Sequence, residues 1–231
     1  MRPAWYVLKP RWARYINILH WPFSLWHLSY VVIGAACAAS ISWTLLGWTL
    51  LAFALAMGIG AHALDLLKGD PLKTGIPKGH LKLLAITSIT GAIGIGVFIG
   101  LTVSLWIIPF ILFGGAIVVL YNLELFQGRF HNIFWFSFSW GVFPAFTGYF
   151  VQSGDFSSPL IWLVGVVVFL FSYVQRVLSK RARYIRRQME STPEGLRLWM
   201  LTPLEEGLKV LNGVVIVLAI TLLVGKVGLI I

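Results

Sequence analysis

Charge is scarce in this chain, and acid is scarcer. Only 11% of its 231 residues are charged, with eight Asp and Glu against eighteen Lys and Arg. Thiols are almost missing: the single cysteine, Cys37, sits in an apolar run, so an intrachain disulfide is excluded and nothing marks an oxidising compartment. There is no tandem repeat and no low-complexity tract. No cleavable leader is expected, because Arg2, Lys9, Arg11 and Arg14 are spread over a basic segment, residues 1–20, and the small residues after it lie within more apolar sequence.

What the chain has instead is hydrophobic sequence, 58% of all residues, in blocks too continuous for a soluble domain. Blocks able to cross roughly 30 Å of hydrocarbon fall at Trp21–Ala39, Trp43–Leu64, Leu83–Ser104, Leu105–Tyr121, Phe134–Val151, Pro159–Gln175 and Val210–Ile231. The expected fold is all-α: a polytopic membrane helical bundle of about seven transmembrane helices, forming a single domain over residues 1–231. A net charge of +10 would suit nucleic acid, but basic residues flanking apolar spans are what the positive-inside rule and anionic lipid require. Nucleic acid is therefore not expected as a partner. With the N-terminus cytoplasmic, every basic residue except Lys226 falls on one side, which sets the C-terminus outside. The expected location is a prokaryotic plasma membrane, with the basic loops cytoplasmic. Gly91, Gly94, Gly96, Gly100, Gly114 and Gly115 form small-residue ridges suited to close helix packing.

Ionisable side chains gather where the second span should surface. His62 and Asp65 are three apart and share a helix face, while Asp70 follows Gly69, a helix stop, and belongs to the loop. Asp65 and Asp70, assisted by His62, form a donor set for Mg²⁺, which favours a few carboxylates together with phosphate oxygens and water. Lys68 and Lys73 would neutralise a diphosphate. The competing reading pairs Asp65 with Lys68 or Lys82 and makes residues 68–71 a capped turn. After the fourth span, Tyr121, Asn122, Glu124, Arg129 and His131 supply polar groups on the same side, and an ordinary polar loop with His131 at the interface is the plainer account.

The connection 176–209 is basic and amphipathic. As a helix it places Arg176, Lys180, Arg183 and Arg187 in one stripe and Leu178, Ala182, Ile185 and Met189 in another. This pattern suggests a helix lying on the membrane surface or running on from the sixth span, followed by a second interfacial segment, Glu194–Met200, that leads through Pro203 into the last span. Span five is dense in aromatic rings from Phe134 to Tyr149, suited to an isoprenoid tail, to a carbocation, or simply to lipid. His27 reads as a packing histidine.

Together these features resemble the UbiA-type intramembrane prenyltransferase superfamily. The likeness covers about residues 15–175 and rests on Ala61-His-Ala-Leu-Asp-Leu-Leu-Lys-Gly-Asp70 followed by Pro77, on Tyr121-Asn122, and on Gly141-Val-Phe-Pro-Ala-Phe-Thr-Gly148. The resemblance implies a helical bundle in which acidic motifs hold Mg²⁺ and the diphosphate of a polyprenyl donor, whose allylic cation attacks a lipid-soluble acceptor. His62, Asp65 and Asp70 would carry that chemistry, while Lys68, Lys73, Tyr121, Asn122, Arg129, Arg176, Lys180 and Arg183 would bind substrate. The family's central Asp falls on Asp65, its leading Asn and Asp on Ala61 and His62, and its last Asp on Gly69. Its second acidic motif corresponds to Tyr173–Arg187, which holds six Arg or Lys and no carboxylate. That substitution supports the alternative: a non-catalytic UbiA-type bundle that holds a lipid, quinone or pigment tail, or serves as a subunit of a membrane complex.

Overall fold

Short polar residues start several of the helices, where their side chains cap the first turn. In the computed structural model, which describes residues 4–8, 10–70, 74–189 and 191–228, Ser42 accepts from the backbone N–H of Leu45 and Asn132 from that of Trp135. Ser158 precedes Pro159 and accepts from Leu160. The described elements are all helical. They are α1 (Arg14–Ile18), α2 (Trp21–Ala36), α3 (Trp43–Lys68), α4 (Lys78–Thr102), α5 (Leu105–Asn122), α6 (residues 133–153), α7 (Pro159–Gln188) and α8 (Glu194–Gly228). Five of them, α3, α4, α5, α7 and α8, are long and apolar enough to cross a membrane. At 1.5 Å per residue, the 16-residue α2 is only about 24 Å long.

Two helices change pitch. Within α3, residues Ala54–Ala61 are π-helical, and within α6, so are Phe138–Val142. Such widened turns are uncommon and often lie beside functional sites. The first ends next to His62 and the second contains Trp140, two side chains described below.

Packing centres on α2. It lies against α6 so tightly that a Cβ built on Gly34 would come within 1.8 Å of the Ala145 carbonyl oxygen, and one on Gly148 within 2.2 Å of the Val31 oxygen. Backbone touches backbone there, which only glycine permits. The expected ridges behave differently: Gly94 faces open space, whereas Gly96 meets only the flexible side chain of Ile111. On its other face α2 buries Trp26 and Tyr30 against α7 and α8, where Tyr30 hydroxyl accepts from Ser172 at 3.3 Å.

The basic connection takes the second of the two arrangements expected of it. Residues 176–188 continue span six without a break, and Glu194–Gly228 is a single helix that runs through Pro203. Losing one backbone hydrogen bond at Pro203 is tolerated because flanking residues pack. The apolar stripe does form, but its partner is protein: Ala182, Ile185 and Met189 close on Met200, Leu201 and Leu204 of α8. The 30-residue α7 is about 45 Å long, longer than the roughly 30 Å of bilayer hydrocarbon, and its basic end forms one arm of a helical hairpin with α8.

Candidate functional site: a cationic cavity at the basic end

A cavity of about 160 Å³ opens where the ends of α3, α5 and α7 meet the start of α2 and α6. His62 and Asp65 reach it from α3, Tyr121 and Asn122 from the end of α5, and Arg176 and Arg183 from α7. These six expected residues are therefore brought together. Others are not. Asp70 is exposed and spent on its own turn, accepting from Thr74 Oγ1 at 3.0 Å and from the Gly75 backbone at 2.7 Å. Lys68 donates to Glu124 at 3.0 Å and to the Leu123 carbonyl at 3.3 Å, tying α3 to the turn after α5. That ammonium holds the Glu124 carboxyl below the usual carboxylate range. Arg129 and Lys180 are exposed and do not line the cavity, and Lys73 lies outside the described residues.

The rotation of α7 explains why Lys180 is excluded. Its inward face runs Arg176, Ser179, Arg183, Arg186, a 3-4-3 spacing that keeps Arg176 and Arg183 of the stripe expected from sequence and puts Ser179 in place of Lys180. Arg187 also reaches the wall. Four guanidinium groups therefore surround a space whose wall holds one carboxylate, Asp65, among the described residues. Among the described residues Asp65 forms no ion pair, so the contact with Lys68 or Lys82 of the competing reading is not made.

Mg²⁺ does not fit this donor set. The Asp65 and Asp70 pair expected to hold it is not assembled, and no group of three or more His, Cys, Asp or Glu side chains could share an ion among the described residues.

Sequence reading missed several wall residues. His20, the residue before α2, adopts a left-handed backbone (φ 42°) and stacks on His62 with ring centroids 4.2 Å apart. Burial first, then the neighbouring His62 and Arg183, hold the His20 imidazole well below its ordinary range. His62 donates from Nδ1 to the Gly58 carbonyl at 3.0 Å, within the widened turn, which leaves Nε2 toward the cavity. His27 lines the wall too and is not a packing residue alone. Tyr6 closes one side from the N-terminal segment, which is clasped by Asn17 bonding both the N–H and the carbonyl of Leu8 at 2.9 Å. Gln175 was legible as a lone amide in an apolar span. Tyr6 was not legible, because only tertiary folding carries that segment across the helix ends.

Several buried polar atoms around the cavity have no partner among the described residues: Tyr121 hydroxyl, Gln175 Oε1, His27 Nδ1, His20 Nε2 and Trp5 Nε1. Tyr121, Gln175 and His27 are each no more than 5% exposed. Unsatisfied buried groups are costly and rare, so a cluster of them facing one space marks a place for a hydrogen-bonding guest. Behind the cavity lies a second, apolar one of about 110 Å³, lined by Phe53, Met57, Ile93, Val118 and Phe143. Trp140 belongs to both walls, with Tyr121 4.4 Å and Phe136 5.8 Å away between ring centroids. The aromatic density of span five is thus divided, with Phe136 and Trp140 at this throat and Phe134 exposed on the outer surface.

No protein-family model, no curated protein and no solved structure matches this chain.

Proposed function

We propose that this protein is a multi-pass membrane protein of UbiA-like architecture that binds an amphiphile with a phosphate-type anionic head, a polyprenyl diphosphate being the class that fits best. The observation that carries the reading is the cationic cavity with its unpartnered polar atoms, backed across Trp140 by an apolar chamber. The arginines supply charge-assisted, fork-shaped contacts to phosphate oxygens without an intervening metal. The apolar chamber accepts hydrocarbon. In this reading α2 and α6 cross the membrane with the five longer helices, giving seven spans, and the basic end is cytoplasmic.

Holding the ligand and reacting it are separate readings. Retention of a lipid, quinone or pigment tail, alone or within a larger membrane complex, is favoured by the single carboxylate on the wall. Prenyl transfer to a lipid-soluble acceptor is favoured by the rings of Tyr121, Phe136 and Trp140, whose faces would stabilise an allylic cation once diphosphate leaves. In that case Arg176 and Arg183 would stabilise the departing diphosphate, and Asp65 or His62 would take the acceptor proton.

Binding is tested with purified protein in detergent by calorimetric titration of geranylgeranyl diphosphate against geranylgeraniol. The diphosphate should bind at least tenfold more tightly, and Arg183→Ala should weaken it by roughly tenfold, the worth of one charge-assisted contact. Equal affinity for the alcohol overturns the proposal. Release of free diphosphate, lost in Asp65→Ala, would select transfer, and tight binding without release would select retention.

A further inference from the structure

Arginines on this wall differ in how they are held. Arg186 donates to the Glu205 carboxylate, which cancels its charge. Arg176 has no carboxylate partner among the described residues. Its Nη2 donates instead to His131 Nε2 at 3.0 Å, and its guanidinium lies over the Phe136 ring, 5.2 Å from the centroid.

That contact fixes the state of His131. Guanidinium only donates, so Nε2 must accept, and Nδ1 must carry the proton because it faces the Tyr121 carbonyl at 3.0 Å. The imidazole is therefore neutral and held from both sides. Its ring also packs on Tyr121 at 4.5 Å between centroids, and its own N–H donates to the Gly128 carbonyl at 2.8 Å.

We infer that His131 is a positioning residue, a neutral acceptor that fixes the Arg176 guanidinium at the cavity wall while leaving its positive charge for the anionic head. A carboxylate at position 131 would orient the guanidinium equally well but would cancel its charge. The unpartnered Tyr121 hydroxyl and Gln175 Oε1, both nine-tenths buried beside Arg176 on the same wall, are independent signs that a guest completes the network. The inference rests on the anion-binding reading above.

The test titrates geranylgeranyl diphosphate into wild type, His131→Gln, His131→Phe and His131→Glu, each alone and with Arg176→Ala, with thermal melting recorded in parallel. His131→Gln, which keeps an acceptor, should bind within about threefold of wild type, whereas His131→Phe should bind roughly tenfold more weakly. His131→Glu should bind at least as weakly as His131→Phe despite an undiminished melting temperature. All these differences should vanish in the Arg176→Ala background. Glu205→Gln, which frees Arg186, should tighten binding. Wild-type affinity in His131→Glu, or the same loss in His131→Phe with and without Arg176, overturns the assignment alone. If His131→Phe does not fold, the Gln and Glu variants decide. Wild type that binds no diphosphate overturns the anion-site reading and this inference with it.

Discussion

At the residue scale, the cavity is built from side chains whose partners decide their charge. His20 is kept neutral by burial and by cationic neighbours, so the unfolded chain takes up a proton near the ordinary imidazole value while the folded chain does not. A lowered folded pKa means that this contribution to stability is present above about pH 6.5 and is lost as pH falls toward the lowered value. Melting temperature in detergent should therefore drop on acidification from about pH 7.5 to about pH 5.5. His20→Asn, which tolerates the left-handed backbone but does not titrate, should flatten that drop; an identical pH profile in the variant would refute the account. His62 and Asp65 were legible from their spacing, since three residues along a helix gives a shared face. His131 was visible but undervalued, because sequence does not reveal that its hydrogen-bond partner is Arg176.

At the element scale, the crossing of α2 and α6 joins two helices whose starts line the site. Gly34 and Gly148 face each other's backbones, so a methyl group at either must push the helices apart. Gly34→Ala should cost about 1–3 kcal/mol, as overpacking does, and Gly94→Ala, which meets nothing, should leave thermal stability unchanged. Melting curves of the two purified variants check the contrast. The sequence pointed to glycine ridges in spans three and four because they are dense there. The contacts that matter involve isolated glycines in α2 and α6, and only the pairing of helices identifies them. The arm of α7 follows the same logic: its apolar stripe was correctly placed along the sequence, whereas its partner, the first turns of α8, was a tertiary fact.

At the scale of the whole molecule, charge is sorted to one end of the bundle. Lys226 is the basic residue near the far end, alongside the loop containing Asp155. The proposed orientation is checked in a Cys37→Ser background by labelling single cysteines in intact cells with an impermeant maleimide. Ser157→Cys should react from outside, and Lys180→Cys only after the membrane is opened. The reverse pattern would invert the topology.

Composition and periodicity alone determined that this chain is helical, that most of its mass is apolar enough for a bilayer, and that its cations gather at one end. Those properties are local sums, carried by each segment regardless of its neighbours. Only the tertiary structure decided which cations face inward, because the rotation of α7 selects Ser179 over Lys180 and its pairing with α8 neutralises Arg186 but not Arg176. Helix rotation and partner choice depend on packing between segments distant in sequence, and that is why a wall of arginine and unsatisfied imidazole, amide and phenol groups stands where two carboxylates were expected to hold a metal.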